Sequence, residues 1–401
     1  MFSLYSYGHM SESVERPYKS SHPWLTFAQI DLRRAGPDFW LLLGEARSKV
    51  EHLSLALLKP NVAEEMLRVY LAKGVHATTA IEGNTLSEAE VADILAGHAN
   101  PPPSEEYLYR EVENVISAYN RIKDGLLAGG SPELTVDSVK RFNREVLDGL
   151  EMDDVRPGEI RTKSVVVGPY RGAPWQDCEY LVGRLCEWLN GSDFVPKSEE
   201  WTIPYGLIKA VAAHLYMAWI HPFDDGNGRT ARLIELQVLL AAAVPMPAAH
   251  LLSNHYNVTR AEYYRQLEHA SKSGGDVVPF LNYAIQGFVD GIRQQVERVW
   301  GQQYEDRWEQ FVYESFGRVS TQAAERRRRL ALELSKRDEP VLRRDVPRMT
   351  PELSEAYRNT QRMLSRDLNA LEAVGLIERT RRGWRASKEQ LLAFRPLRRQ
   401  S

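Results

Sequence analysis

The residues from His221 to Arg232 place a base, carboxylates, glycines and arginines within one short stretch of the chain. His221 carries the side chain whose unperturbed pKa suits a general base near neutral pH. Two glycines flank Asn227, so the backbone can turn its N–H groups inward and form an anion-binding nest. Arg229 and Arg232 are three residues apart, on one face of a predicted helix, where their guanidinium groups suit phosphate oxygens. The stretch therefore predicts a site for phosphoryl or nucleotidyl transfer.

Asp225 adds a carboxylate to the same loop. Mg²⁺ commonly binds one or two protein carboxylates together with the phosphates of a substrate, so Asp225 is the predicted metal ligand. Apolar segments at 203–220 and 233–244 enclose the loop and predict two buried helices. The loop must then lie at the helix ends, facing a cavity or solvent, with the N-terminus of the second helix as a further anion site.

The whole stretch resembles the signature of the Fic family, H-[PX]-F-x-[DE]-G-N-G-R-x-x-R, at every fixed position. Most characterised members transfer AMP from ATP to a hydroxyl side chain of a target protein. The resemblance implies that His221 is the catalytic base and that Asp225 holds Mg²⁺. It also implies ATP contacts along Asp225, Gly226, Asn227, Gly228, Arg229, Thr230, Ala231 and Arg232.

A second motif lies upstream, where the residues from Thr78 to Gly83 match the family's autoinhibitory pattern, [ST]-x-x-x-E-[GN]. By this resemblance, Glu82 pairs with Arg232 and occupies the place that the γ-phosphate of ATP needs. Gly83 is the predicted stop of the preceding helix. The residues from Thr85 to Glu88 predict a capping box that opens the next helix.

A β-branched run at 164–167, closed by Gly-Pro, predicts a short hairpin. In Fic proteins a hairpin here forms a flap over the active site, which makes four residues candidate nucleotide neighbours: Val167, Gly168, Pro169 and Tyr170. A purely structural hairpin without ligand contact is the alternative. Ser271 stands where the family often has an Asn that contacts adenine, and it is the candidate residue for that contact here.

The predicted fold class is mainly α: a Fic helical core with a short β-hairpin flap, followed by a C-terminal winged helix-turn-helix-like domain. We expect an N-terminal arm and helical region with the inhibitory helix at 1–110, and the catalytic core at 111–300. A helical connector follows at 301–340, and the winged-helix-like domain occupies 341–401. A chain of 401 residues is long enough for two or three domains.

Charge is distributed unevenly along the chain, although its net value is only −3. From Glu325 to the C-terminus there are 20 Lys and Arg against 11 Asp and Glu, a net of +9. In the predicted winged helix, these basic residues could contact DNA, an acidic protein partner or solvent alone. The sequence leaves DNA contact and protein contact equally open.

Composition is that of a globular protein, with 43% hydrophobic and 26% charged residues. Apolar runs of eighteen residues are all interrupted by polar ones, so we expect no membrane span. The N-terminus lacks the pattern of a signal peptide. With two cysteines, expected as free thiols, the predicted location is the cytoplasm.

Several functions fit the same site. The principal prediction is AMP transfer from ATP, with Mg²⁺, to a Ser, Thr or Tyr hydroxyl of a target protein or of the chain itself. Some relatives with the inhibitory Glu remove AMP from targets, and others transfer phosphocholine or a phosphate. A third alternative is a DNA-binding regulator whose Fic-like domain senses nucleotides. A homodimer is compatible with each of these functions.

Overall fold

The structure, a computed structural model, describes residues 16–168, 170–317, 321–358 and 361–392. The chain divides into two compact units, Met1–Glu297 and Arg298–Ser401. Each unit has its own cluster of buried apolar side chains. The finer four-part division expected from the sequence stays a prediction.

Helices make up most of the first unit, as predicted, and its one described sheet is the short hairpin. Its helices and strands are α1 Tyr18–Ser21, α2 Gly36–Ser54, α3 Pro60–Ala80, α4 Glu88–Leu95, α5 Glu106–Leu127, α6 Val136–Val146, β1 Val166–Val167, β2 Tyr170–Arg171, α7 Trp175–Leu189, α8 Thr202–Ile220, α9 Asn227–Ala241, α10 Met246–Ala249, α11 Leu251–Val258, α12 Arg260–Lys272 and the first part of α13 Val278–Phe316.

Helices α8 and α9 form the centre of this unit and pack along each other. The residues of α8 are mostly small or apolar on every face of the helix, which predicts that the helix is buried on all sides. The structure agrees, because nearly every residue of α8 is buried, including Ala213, Met217 and Trp219. The loop between the two helices is therefore fixed by a packed core at both of its ends.

One described helical stretch, Glu199–Ile220, is long and apolar enough to cross a membrane by length and composition. Within the unit, 78% of its apolar window is buried against other elements. Core helices of this kind meet the same criterion, so the stretch is weak evidence for a membrane span.

A buried polar network joins the central pair of helices to α11 and α12. His214 Nδ1 lies 3.2 Å from Glu235 Oε2, and its Nε2 is hydrogen-bonded to the Tyr263 hydroxyl at 2.8 Å. The Tyr256 hydroxyl donates to the other oxygen of Glu235 at 2.9 Å. Because buried polar groups need their partners, this network fixes how the helices face one another.

Helix α3 starts with Pro60 at its first turn and runs to Ala80. Gly83, with φ of 101°, ends the turn that follows, as predicted. The predicted capping box was placed two residues too early: Ser87 caps α4 and pairs with Glu90. Asn84 is the reason, because its side-chain oxygen accepts the Leu86 amide and forms a turn there, so the helix begins only after Ser87.

The second unit contains the rest of α13, then α14 Gln322–Ser335, α15 Pro351–Tyr357, α16 Gln361–Ala373 and a hairpin of β3 Ile377–Thr380 and β4 Gly383–Ala386. Asp367, buried in α16, accepts hydrogen bonds from Arg326 and Arg327 of α14, each at 2.7 Å. Two helices followed by a hairpin is the order expected for a winged helix, and that assignment stays a prediction.

Candidate active site

His221 is the residue that ends α8, and it adopts a left-handed backbone with φ of 48° and ψ of 60°. Residues with a Cβ adopt this conformation at a cost of about 1–2 kcal/mol. Its amide donates to Met217 O at 2.9 Å and so closes the helix. The left-handed turn sends the chain sharply from α8 into the loop that the signature occupies.

The loop between α8 and α9 is held by the side chain of Asn227. Its Oδ1 accepts the Phe223 amide and its Nδ2 donates to Phe223 O, both at 2.9 Å. Gly226, at φ of 75°, turns the chain into the first residue of α9. The sequence predicted that Asn227 contacts a phosphate, but its side chain is engaged in shaping the loop, which leaves its backbone amide for a ligand.

The Glu82 carboxylate lies against the first turn of α9. A Cβ added to Gly228 would collide with Glu82 Oε1, so only glycine leaves room for the carboxylate here. Arg232 Nη2 donates to the same Oε1 at 2.5 Å and to Thr78 O at 2.9 Å. The pair between Glu82 and Arg232 that the motif implied is thus present.

Charge at this point favours the ionised carboxylate. Burial raises the pKa of Glu82, but the neighbouring Arg232, Arg229 and His221 outweigh burial and hold that pKa below its ordinary value. Arg232 is almost fully buried, and its Nε and Nη1 have no hydrogen-bond partner among the described residues. Two nitrogen atoms of this guanidinium therefore remain for another acceptor.

Arg229 is also buried, and it contacts two carboxylates. Its Nη1 donates to Glu111 Oε1 at 2.6 Å, and its Nη2 lies 3.5 Å from Asp225 Oδ1. The other oxygen of Glu111 accepts Asn84 Nδ2 at 2.9 Å. Helix α5 and the segment after Glu82 are therefore both tied to Arg229, which the sequence did not reveal.

The pKa of the His221 imidazole is lowered to about 4, chiefly by burial and then by the charge of Arg161, while Glu82, the Ala218 backbone and Asp225 raise it by less than burial lowers it. The ring is therefore neutral at pH 7, the state in which it can accept a proton. A strongly shifted pKa beside charged groups of both signs is typical of sites that tune a base.

The hairpin of β1 and β2 follows α6 and precedes α7. Val167 pairs with Tyr170 across its turn, where Gly168 has φ of 56°. Tyr170 donates its hydroxyl to Trp219 O at 2.8 Å, which ties the hairpin to the end of α8. Val167 is exposed, and Pro169 lies outside the described residues. Tyr170 thus contacts the end of α8 next to His221, and the nucleotide contacts of Val167, Gly168 and Pro169 stay predictions.

Three other candidate ATP contacts have buried side chains. Thr230 Oγ1 accepts Asn143 Nδ2 at 3.3 Å, and Ala231 packs in the apolar core. Ser271, near the end of α12, donates its hydroxyl to Glu268 O at 2.9 Å. None of the described contacts of Ser271 reaches the loop after α8, so its adenine contact stays a prediction.

Two residues that the sequence did not single out fix the loop from a distance. Asn143 of α6 donates to Asp225 O at 2.8 Å and accepts the Gly158 amide at 2.9 Å. Arg161 donates its Nε to His221 O at 2.7 Å. Both residues lie far from the signature along the chain, and no short motif connects them to it.

Asp225 fits the role of a single carboxylate ligand for Mg²⁺. Its side chain is 44% exposed, and its described hydrogen bonds use Oδ1, including one from the Gly226 amide at 2.5 Å. Residues 16–168, 170–317, 321–358 and 361–392 contain no cluster of three His, Cys, Asp or Glu that would form an all-protein metal site. This arrangement suits a cation that arrives with substrate phosphates and keeps several waters.

Comparison with protein families gives one match, to the Fic/DOC family over residues 133–239. That segment includes the hairpin, all of α8 and the signature. The chain is 32% identical over 260 residues to protein adenylyltransferase fic-1 of Caenorhabditis briggsae, covering 63% of this chain and 46% of that protein. With fic-1 of Caenorhabditis elegans the identity is 31% over 259 residues, with the same coverage. The chain thus spans about half the length of the curated relatives it matches.

Solved structures agree with these matches. A Fic-1 fragment from C. elegans superposes with a TM-score of 0.54 at 27% identity, covering 65% of this chain and 72% of the fragment. A Fic family protein from Desulfovibrio desulfuricans, at 20% identity, shares the fold with a TM-score of 0.54 over 88% of this chain and 96% of its own. The chain therefore contains a Fic/DOC domain and is homologous to the Fic protein adenylyltransferases.

Proposed function

We propose that this protein is a protein adenylyltransferase, which moves AMP from ATP to a hydroxyl group of a target protein, and that Glu82 inhibits it. One observation carries the proposal: the Glu82 carboxylate already lies against the first turn of α9 and on Arg232. That helix end is a place for anions, because its N–H groups and dipole favour negative charge. A neutral imidazole, that of His221, lies close enough to interact with the same carboxylate.

His221 acts as the base in this proposal. Its imidazole accepts the proton of a Ser, Thr or Tyr hydroxyl of the target, and the freed oxygen attacks the α-phosphorus of ATP. The bond from that phosphorus to the bridging oxygen breaks, and pyrophosphate leaves. Such a base typically contributes about 10²–10⁴ in rate.

The phosphates of ATP lie along the start of α9. Backbone amides of Asn227 and Gly228 face the α-phosphate side, and the side chains of Arg229 and Arg232 bind the outer phosphates. Because Glu111 already holds the Arg229 guanidinium group in place, little ordering of that side chain is left for binding. Asp225 would hold Mg²⁺, which would neutralise part of the phosphate charge when bound.

Inhibition follows from the shared use of Arg232. While Glu82 holds Arg232, the triphosphate meets a carboxylate where its outer phosphate should bind, and like charges repel. Replacing Glu82 with Gly should raise incorporation of label from [α-³²P]ATP into the protein itself. Mass spectrometry should find one added AMP per modified hydroxyl.

The double variant Glu82→Gly with His221→Ala is the control, and it should lose the labelling. Equal labelling of the Glu82→Gly protein and the unaltered protein would refute the inhibitory role of Glu82. Labelling from [γ-³²P]ATP instead would identify transfer of a phosphate and refute AMP transfer. An added phosphocholine, detected by mass after incubation with CDP-choline, would do the same.

Removal of AMP is a second candidate, because Glu82 lies near enough to His221 to raise the pKa of the imidazole. A carboxylate in that position could orient water toward an AMP-modified hydroxyl. Incubation of an AMP-modified target with the unaltered protein and with the Glu82→Gly protein distinguishes the two. Release of AMP by the unaltered protein alone would support removal.

A further proposal concerns the second unit, which we propose contacts DNA. Arg362 and Arg366 are exposed on successive turns of α16, and Arg381 and Arg382 are exposed at the turn of its hairpin. A helix and a basic hairpin presented this way suit a duplex. If the unit binds DNA, affinity should fall steeply with salt and persist in the His221→Ala protein. Binding that is absent even at low salt would leave a protein partner as the alternative.

We also propose that the protein works in the cytoplasm. Cys178 and Cys186 are both buried and free. Burial raises the pKa of both thiols, to about 11 and about 12 respectively, so they stay protonated and unreactive. Fractionation of cells that produce the protein would check the location.

A further inference from the structure

Arg161 is a buried arginine whose donors go to backbone carbonyl groups. Its Nε donates to His221 O at 2.7 Å, its Nη1 to Lys163 O at 2.6 Å and its Nη2 to Ala173 O. Nη2 also lies 3.5 Å from Ile220 O. Within the described residues Arg161 forms no ion pair, although its side chain is only 2% exposed. Burying a charge without a carboxylate partner costs free energy of folding, so these contacts need an explanation.

The backbone of the same residue reaches the same turn. The Arg161 amide donates to Pro222 O at 3.0 Å. With the side-chain bonds, Arg161 thus binds the carbonyl groups of residues 220, 221 and 222 in succession. The peptide groups on both sides of His221 are therefore fixed by one residue.

His221 needs such a restraint because its left-handed backbone is disfavoured for a residue with a Cβ. In this conformation its carbonyl points out of α8 and toward the guanidinium group. Close packing reinforces the restraint: a Cβ added to Gly172 would lie 3.1 Å from both Arg161 Nη2 and His221 Cβ. A relaxed, right-handed His221 would break the bond to Arg161 and carry the imidazole elsewhere.

We infer that Arg161 is a positioning residue for the reaction: its guanidinium group holds His221 in the left-handed conformation that aims the imidazole at the target hydroxyl. The planar fork is essential, because a lysine ammonium could reach one carbonyl but not three held in fixed directions. Arg161 does not touch ATP in this scheme. The inference rests on the proposed AMP transfer for its kinetic test, but its structural test does not.

The kinetic test compares the Glu82→Gly protein with the double variant that also carries Arg161→Lys. We expect kcat for AMP transfer to fall about 100-fold, since a misplaced base loses that much, while KM for ATP changes less than about threefold. Arg293→Lys is the matched control, because Arg293 forms a two-bond pair with Glu45 on the surface of the same unit. It should leave both constants unchanged.

Retention of kcat within about threefold in Arg161→Lys would overturn the inference. A rise in KM for ATP as large as the fall in kcat would also overturn it, because that result would indicate general damage to the ATP site. If Arg161→Lys fails to fold by circular dichroism, Gly172→Ala replaces it, because the added methyl presses on both Arg161 and His221. An unchanged kcat in that variant would again refute the positioning role.

The structural test is independent of activity. In the ¹³C-labelled protein, the Cα and Cβ shifts of His221 report its backbone conformation, and signals lost in His221→Ala assign them. These shifts should have left-handed values in the Glu82→Gly protein and move toward helical or extended values in Arg161→Lys. Unchanged shifts would overturn the inference. Left-handed shifts that respond to Arg161→Lys, in a protein without AMP transfer, would refute the proposed function alone.

Discussion

The charge state of His221 depends on burial and on the groups around it. Burial and the Arg161 charge lower the pKa of the imidazole, whereas Glu82 and Asp225 raise it, and the result is about 4. An unperturbed histidine titrates near pH 6.5. The base of this site should thus remain available in mildly acidic solution, where an ordinary histidine would be protonated.

The pH dependence of AMP transfer tests this. In the Glu82→Gly protein at saturating Mg²⁺ and ATP, transfer should stay nearly constant from pH 7.5 down to about 5.5, because the imidazole stays neutral above its lowered pKa. The Glu82 carboxylate raises the pKa of His221, so its loss in this variant should shift the pH at which transfer falls to a still lower value. A half-maximal rate near pH 6.5 would contradict the shifted base.

The pair of Glu82 and Arg232 should also stabilise the fold. Glu82→Gln removes the charge and leaves Arg232 buried with a weaker partner, so we expect the free energy of unfolding to fall by about 2 kcal/mol. The melting temperature should drop by about 4–8 °C. Glu45→Gln is the control, since its pair with Arg293 is on the surface and contributes little.

Acid should abolish the difference between Glu82→Gln and the unaltered protein. Because the pKa of Glu82 is lowered in the folded state, its contribution is complete above the unfolded pKa of about 4.5. That contribution is lost as the pH falls through the lowered folded value. Unfolding measured at pH 7 and below pH 4 checks the sign, and a difference that grows in acid would contradict it.

At the scale of elements, the end of α3 determines where Glu82 lies. Arg260 of α12 donates its Nη2 to Ile81 O at 2.6 Å and its Nη1 to Ala80 O at 3.3 Å. A cation on the last carbonyl groups of a helix stabilises that end. Helix α12 thus holds the segment that carries Glu82 through its backbone, and none of the described hydrogen bonds of Arg260 reaches the Glu82 carboxylate.

Arg260→Ala should therefore raise AMP transfer of the protein that retains Glu82. A loss of about 1 kcal/mol at the helix end corresponds to a rise of about fivefold. Arg265→Ala, on the same helix, changes an exposed arginine paired with Glu262 and should have no effect. In the Glu82→Gly protein, Arg260→Ala should bring no further rise; a rise there would show that Arg260 acts elsewhere.

The sequence predicted those parts of the site that lie within short motifs. The two helices, the turn at Gly226 and the pair of Glu82 and Arg232 follow from local patterns and from the family signature. Glu111 and Arg161 could not be predicted, because they reach the signature across 118 and 60 residues, respectively. A single sequence contains no signal that connects such distant partners, since only the packing of α5 and the segment after α6 brings them together.

At the scale of the molecule, the described apolar cores of the two units have no residue in common. The core of the first unit extends along α13 as far as Ile292, and that of the second begins at Trp308. Every described residue of the candidate site lies before residue 297. We therefore expect the first unit to fold and to carry out the proposed reaction without the second.

A chain that ends at Glu297 tests this. With Glu82→Gly, it should melt in one cooperative transition and transfer AMP within about threefold of the full-length rate. A chain that ends at Gly274 should fail to fold, because it lacks the buried Phe280 and Phe288 of α13. Loss of activity in a folded chain ending at Glu297 would assign the second unit a part in the reaction.

The left-handed backbone of His221 has a consequence for how this protein can evolve. Glycine suits that conformation better than any residue with a Cβ. The free energy of unfolding of His221→Gly should therefore be about 1 kcal/mol higher than that of His221→Ala. Chemical denaturation of the two inactive variants measures the difference. Stability alone would thus favour glycine over alanine at this position, whereas the proposed chemistry requires the histidine side chain there.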